Sequence, residues 1–350
     1  MWWSRHQGAW DVSDGMARNT ASSISAAAGR RWQAIDPLLP APSVPPGCGA
    51  RLVVIGAGGR AVAVGACEHW EGAPDSLELS WGAARRFQLT GAISVPDVAD
   101  ALDRLLSLWR DHLARVPGTG GEDTAAVVTW ASRDIHAVPA LQRHGLVPVE
   151  VIAARGAGRH PAGRAADPPP RADCSAGYWE PAAEKAGNGL LIRRAIPADI
   201  DVVARLGLEV IRFDAHFGKV IERPGSAAAM RREAARLLAG PKAWTWLAER
   251  DDMAVGMVSA ERPESAGWIA PMVRAAPVAY LELMYTVPDE RGSGIGAELV
   301  AALHRDIDAA AAVTLLHYEQ VNPLSVPFWS RQGYRPLWTT WEARPARSIR

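Results

Sequence analysis

The feature that most constrains this chain is a repeat at the ends of its two halves. Residues Asp134–Pro148 align without a gap on Asn322–Pro336 at a constant offset of 188 residues, and Val-Pro, Arg, Gly and the closing Pro coincide. Each copy follows a run of strand-forming residues, Ala125–Trp130 and Val313–Tyr318. A strand–helix–strand unit repeated at domain scale predicts two copies of one architecture, and 350 residues leave room for both.

The periodicities between the repeats agree. In the first half, Leu52–Ile55 and Ala61–Cys67 flank a Gly56–Gly59 turn and read as a hairpin; the absence of a following helix argues against a nucleotide loop there. Pro96 opens a helix with Val98, Leu102, Leu105, Leu106, Trp109 and Leu113 on one face. Residues 1–50 carry Trp2, Trp3, Trp10 and Trp32, which need burial, so this extension is expected to pack on a first domain at 51–155. A Gly/Pro/Ala-rich stretch at 156–189 reads as a linker, and a second domain is expected at 190–345. In it, helices follow Pro197 and span about 226–239, a hairpin joins Trp244–Glu249 to Met253–Ser259, and a last strand runs from Leu337 to Glu342. The expected class is α/β (α+β), each domain a mixed, mostly antiparallel sheet flanked by helices.

The stretch at 280–307 carries the chemistry. Tyr280–Val287 reads as a strand ended by Pro288, and Ile295, Leu299, Leu303 and Ile307 recur at helical spacing. Between them lies Arg291-Gly292-Ser293-Gly294-Ile295-Gly296, whose missing side chains leave backbone N–H groups open at a helix N-terminus, a seat for phosphate oxygens. No Gly-Lys-Ser/Thr follows, which excludes a nucleoside-triphosphate loop, and the spacing is not that of a dinucleotide fingerprint.

The order strand, Arg-x-x-Gly-x-Gly, helix resembles the acyl-CoA pyrophosphate loop of the GNAT superfamily of N-acetyltransferases. Both copies of the repeat resemble the C-terminal segment of that family, so the chain looks like a tandem GNAT. Moving 188 residues back from Arg291 reaches Asp103, inside a leucine-rich helix with no such loop. The first copy is therefore expected to be degenerate, and one active site is expected.

The resemblance implies acetyl-CoA as co-substrate. It places Arg291, Gly292, Ser293, Gly294, Ile295, Gly296 and Ala297 at the pyrophosphate, and the backbone of Met284, Tyr285 and Thr286 along the pantetheine arm and thioester. Asn322, Ser325 and Trp329 fall at donor-contacting positions of the last helix. Trp329 stands where the family often has a tyrosine that protonates the leaving thiolate, and an indole N–H is no acid near neutral pH. Either the thiolate leaves without an acid, or Tyr318 or Tyr285 substitutes. Glu282 is a candidate base on the strand before the loop, either directly or through water, with an ordinary salt bridge as the alternative. His317 and Glu319 alternate with Tyr318 and share one face of the next strand, which makes them further base candidates. Asp214, His216 and Phe217, after the first helix of the second half, are candidate acceptor contacts.

Composition excludes other classes. Lys+Arg and Asp+Glu are 38 each, so no surplus charge recruits nucleic acid or an anionic membrane. Three scattered cysteines make neither a disulfide framework nor a zinc site, no stretch is apolar enough to span a membrane, and no signal peptide opens the chain. A cytoplasmic monomer or homodimer without a metal is expected, acetylating a small-molecule amine by direct attack in a ternary complex. An aminoacyl-tRNA or carrier-protein thioester as donor is the alternative enzyme reading, and an acyl-CoA sensor the non-catalytic one.

Overall fold

The computed structural model describes residues 15–44, 49–158, 184–185, 189–240 and 243–350. Most of the expected linker, and Trp2, Trp3 and Trp10, lie outside the described residues. The first half runs α1 (Gly15–Ile35), β1 (Arg51–Ile55), β2 (Ala61–Glu71), β3 (Arg85–Ile93), α2 (Val98–Leu113), β4 (Thr124–Ala131), α3 (Val138–Arg143) and β5 (Val147–Gly156). The second runs β6 (Glu184–Lys185), β7 (Leu190–Arg194), α4 (Ile200–Asp214), α5 (Ser226–Leu237), β8 (Thr245–Arg250), β9 (Met253–Glu261), β10 (Val278–Thr286), α6 (Ile295–Asp308), β11 (Val313–Glu319), α7 (Ser325–Arg331) and β12 (Arg335–Ala343).

All twelve strands form one sheet in the order β1-β2-β3-β4-β12-β5-β11-β10-β9-β8-β7-β6. Only β3–β4 and β10–β11 are parallel, each pair spanned by a crossover helix, α2 or α6. The halves exchange their last strands: β12 pairs with β4 and β5, and β5 pairs with β12 and β11. This fuses what the sequence suggests as two sheets into one. The repeat keeps its offset here, β5 beginning at Val147 and β12 at Arg335. It drifts elsewhere: α2 begins at Val98 and α6 at Ile295, so the counterpart of the glycine turn is Ser94–Asp97 rather than Asp103.

Cross-strand pairs fix which side chains share a face. Leu89 pairs with Val128, Val128 with Trp341, Val151 with Tyr318 and Ala153 with Leu316, and these residues share the clusters under α2 or α6. The opposite face carries Gln88, Thr129, Thr340, Glu150 and Glu319, and it is covered by α1, α4 and α5. Two elements escaped the sequence reading. β3 is masked by its polar face (Arg86, Gln88, Thr90), and α1 is an alanine-rich helix without a strong apolar stripe.

In the first half, α1 bridges the place where β3 and β4 diverge. Arg31 donates to the Ile93 carbonyl at 2.7 Å and to Asp134 at 3.1 Å, while Trp32 and Trp130 both donate to Asp134, at 3.2 and 3.0 Å. Trp32 stacks edge-on against Trp130 and Trp338. Asp97 caps the N-terminus of α2 by accepting from the Asp100 N–H, so that helix end presents a carboxylate to any incoming anion.

The halves are also joined above the sheet. Arg223 donates to both oxygens of Asp123 (2.8 and 3.0 Å) and to the Leu79 carbonyl, and the Ile221 N–H donates to the Ser80 carbonyl. Among the described residues, no helix is long and apolar enough to cross a membrane.

Candidate active site

Strands β10 and β11 pair from Val278↔Val313 to Leu281↔Leu316 and no further. At that point the β10–β9 register slips between Leu281 and Leu283. This bulge reverses the side chains that follow: Leu281 faces α6, whereas Leu283 and Tyr285 pack under α4 and α5. The strands part, and a cavity of about 1800 Å³ passes through the gap.

On the α6 side the glycine turn opens into the cavity. Gly292 and Gly294 have φ of +82° and +94°, a conformation that costs little only for glycine. Gly294 is the N-cap of α6 and offers no side-chain acceptor; the Ala297 N–H closes onto the Gly294 carbonyl, which leaves the Ile295 and Gly296 amides for a ligand, in contrast to the Asp97-capped α2. A Cβ on Gly296 would lie 2.7 Å from Met284 Cε and 3.3 Å from Phe328, in the space a donor arm needs. These residues fit an acyl-CoA diphosphate and its adjoining chain. The Arg291 side chain is not extended toward the turn. It donates to the Thr286 carbonyl at 3.1 Å and lies 4.4 Å over Phe213, which ties the loop to α4. Ser293 is exposed and donates to the Glu290 carbonyl, and Ile295 is buried in the core, so both contribute backbone alone. Ala297, Ser325 and Trp329 line the cavity, as do Met284, Tyr285 and Thr286. Asn322 lines it too, but its amide oxygen accepts from the Leu324 and Ser325 N–H groups and its nitrogen donates to Asp214 at 3.1 Å. It caps α7 and fixes Asp214.

The opposite side of the gap is rich in charge. Lys219, 6% exposed, donates to Glu150 at 2.6 Å and to the Trp81 carbonyl at 2.9 Å, and lies 3.9 Å from Glu319. Glu319 is 4% exposed, and its Oε2 is buried without a hydrogen-bond partner. Burial pushes its carboxyl up to about 8, against the pull of Lys219. Burial works against the Lys219 ammonium, yet Glu150 and Glu319 hold it charged and above its ordinary value. Desolvation raises the half-buried Asp214 to about 6.

A second cluster holds Glu282. Arg236 donates to Glu233 at 2.6 Å and to Glu282 at 3.0 Å, and contacts Glu261 at 2.8 Å. Burial raises the Glu282 carboxyl well above the carboxylate range, and Glu233 adds to it, because three carboxylates share one guanidinium. His317 lies with Nδ1 3.0 Å from Tyr280 Oη and its ring parallel to Trp268; burial depresses it, keeping it neutral.

The gap thus separates the candidate residues into two sets. Tyr318 faces the α6 side with Trp329, and burial holds its phenol protonated. Glu282, His317 and Glu319 face the other side. His216 and Phe217 do not line the cavity, a correction to their expected place beside Asp214. His216 Nδ1 turns back to the carbonyls of Arg212 and Phe213, and Phe217 packs edge-on against Phe213, which lines the cavity instead. Lys219, Glu150, Arg236 and Trp268 were missed in sequence. A lone lysine among arginines and a glutamate in the first half's last strand gave no local signal, since strand exchange brings them together. Among the described residues, no group of His, Cys, Asp and Glu has metal-binding geometry.

Comparison with known proteins bears on the fold. Residues 241–336 match the family model described as an acetyltransferase (GNAT) domain. No curated protein matches the chain in sequence. A GCN5-related N-acetyltransferase from Sphaerobacter thermophilus is similar in structure at 14% identity with a TM-score of 0.53, covering 94% of this chain and 93% of that one. A tandem GNAT protein from the clavulanic acid biosynthesis pathway is similar at 13% identity and a TM-score of 0.40, covering 94% and 96%. An aminoglycoside N-acetyltransferase in complex with CoA is similar at 19% identity and a TM-score of 0.34, over 43% of this chain and 91% of that one. The Sphaerobacter likeness, the internal repeat and the exchanged strands together show a GNAT fold built twice in one chain, with the match to the acetyltransferase (GNAT) domain model lying in its second half.

Proposed function

We propose that the protein is an acetyl-CoA-dependent N-acetyltransferase that acetylates a primary amine of a small molecule, with both substrates bound at once. The observation that carries this reading is the buried Glu319 carboxyl, whose Oε2 has no hydrogen-bond partner, on one face of a gap whose other face opens onto the uncapped N-terminus of α6. Acetyl-CoA supplies a thioester acyl group; the backbone of Gly292–Ala297 binds its diphosphate, and the parted edges of β10 and β11 take its arm. The amine enters from the α4–α5 side.

Glu319 accepts the proton of the incoming ammonium. A base near 8 is well matched to that task, because it is partly ionised at neutral pH and still basic enough to draw the proton. Glu282, held protonated in its crowded cluster, and neutral His317 shape the entrance rather than take the proton. Tyr318, on the donor side, offers its phenol proton to the departing thiolate in place of the residue that Trp329 cannot be.

Thiol release from acetyl-CoA over a panel of amines tests this. We expect turnover whose kcat/KM rises with pH through about 8, and a loss of about 10²–10⁴-fold in Glu319→Gln, the usual worth of a general base. Absence of acetyl-CoA binding by calorimetry, or full activity in Glu319→Gln, contradicts the proposal.

A further inference from the structure

The cavity is larger than one amine needs. Ligand pockets are typically about 300–1,000 Å³, and this one has about 1800 Å³. Part of that volume is the donor seat at the glycine turn, and part extends over the first half. On the face covered by α4 and α5, the cavity floor passes from Glu319 on β11 through Glu150 on β5, Thr340 on β12 and Thr129 on β4 to Gln88 on β3 and Glu68 on β2. Its roof there is Leu77, Glu78 and Trp81, which the contacts of Arg223 and Ile221 dock onto the second half.

At the far end, Glu68 and Gln88 are directly opposed across β2 and β3, which sets their Cβ atoms about 5 Å apart. Both are half-buried and line the cavity. Neither side chain has a hydrogen bond or ion pair among the described residues, and burial raises the Glu68 carboxyl. The neighbouring Arg86 also lines the cavity. Its guanidinium lies 4.4 Å over Trp70 and donates to the carbonyls of Ala83 and Glu78. A carboxylate and an amide oxygen, side by side in a cavity and unpaired with other side chains, are a receptor for a hydrogen-bond-donating cation.

We propose that Glu68 and Gln88 form a distal acceptor subsite that binds a second amino group of an elongated acceptor, whose first amino group is acylated at the β10–β11 gap. This rests on the acyl-transfer reading of that gap. At about 4.8 Å per strand, Gln88 lies roughly 19 Å and Glu68 roughly 24 Å from Glu319. The acceptor is therefore an extended, multiply amino-substituted molecule laid across the strands. The degenerate half, whose own cleft α1 fills, serves as the half that selects it.

Pentaethylenehexamine, with terminal nitrogens about 19 Å apart when extended (four strand spacings), is compared with ethylenediamine, one unit of the same chain. We expect kcat/KM at least tenfold higher for the hexamine, and a fall of about tenfold in that ratio in Glu68→Gln, the loss of one charge-assisted hydrogen bond. Gln88→Met, which keeps the length and apolar stem, is expected to lower the ratio as well. A ratio near one in the unaltered protein, or variants that depress both amines alike, overturns the subsite. If no amine releases thiol, the acyl-transfer reading fails separately, and calorimetry with the hexamine alone decides. A dissociation constant about tenfold weaker in Glu68→Gln upholds the subsite, and an unchanged one refutes it.

Discussion

Replacing Lys219 by Met removes a buried ammonium from between two glutamates and leaves the rest of the cavity in place. Lys219 Nζ lies 2.6 Å from Glu150 and 3.9 Å from Glu319. At an effective dielectric of about 20, a unit charge at the longer distance is worth about 4 kcal/mol, or about 3 pK units on Glu319. The Glu319 carboxyl, already at about 8 with the lysine present, then titrates two to three units higher, after relaxation takes part of that shift. At pH 7.5 its ionised fraction falls on the order of a hundredfold, and kcat/KM for an amine falls with it, recovering as the pH is raised. Stability moves in the same sense. A carboxyl whose folded pKa exceeds its unfolded one binds more protons when folded, so its contribution is fully present below about 4.5 and is lost as pH rises through the folded value. Lys219→Met raises the folded values of both Glu319 and Glu150. Its destabilisation, about 3–5 kcal/mol for a broken buried pair, should be largest at pH 8–9 and smallest near pH 5. The assays are a pH–rate profile from thiol release and thermal melts at pH 5 and 8.5. An acid limb that stays near pH 8, or a melting loss independent of pH, refutes the coupling and with it Glu319 as the base.

Two further outcomes follow from the two helix ends. Gly294→Ala places a side chain at φ +94°, which costs about 1–2 kcal/mol, and sets a methyl in the open space at the α6 N-terminus; a rise of about tenfold in KM for acetyl-CoA is expected, with little change in the acceptor KM, both read from initial rates. Trp32→Ala empties the plug over the first-half cleft and loses a hydrogen bond to Asp134, so calorimetric melting should show a loss of about 3–5 kcal/mol. The kcat of the remaining folded protein is expected to be unchanged, because Trp32 touches nothing at the β10–β11 gap.

Much of this was legible in sequence because it is local. Arg291–Gly296 declares a turn whose amides face a ligand, and the repeat at Asp134 and Asn322 declares two copies. What was hidden is non-local. Glu150 and Glu319 are neighbours only because β5 enters the other half's sheet, and no periodicity announces that pairing. Lys219 gave no signal because its three acceptors come from three separate segments. The bulge at Leu281–Leu283 was invisible for a related reason. Alternation assigns Glu282 and Leu283 to opposite faces, whereas the slip in register puts Leu283 under α4 and α5, the side on which Glu282 meets Arg236. His216 was misplaced by proximity, since adjacency to Asp214 on a helix end says nothing of which way the ring turns.

Strand exchange also decides whether the second half is a domain in the thermodynamic sense. Both neighbours of β12 in the sheet, β4 and β5, belong to the first half, and β11 loses its partner along the whole run from Val313↔Gly156 to Glu319↔Glu150 if β5 is removed. A fragment of residues 190–350 would therefore expose the β11 edge beside the gap and leave β12 with no strand to pair with. It would also leave Lys219 without Glu150 and Arg223 without Asp123. Unpaired edge strands and an uncompensated buried charge are each destabilising by several kcal/mol, comparable with the roughly 5–15 kcal/mol that holds a domain together. The fragment is expected to lack a cooperative thermal transition and to release no thiol. Mixing it with residues 1–158 is expected to restore both, because the exchanged strands then regain their partners. A fragment that melts cooperatively alone and turns over at the rate of the full chain would show that β12 can re-pair with β11. The first half would then be dispensable for the fold, and any need for it would have to come from the acceptor.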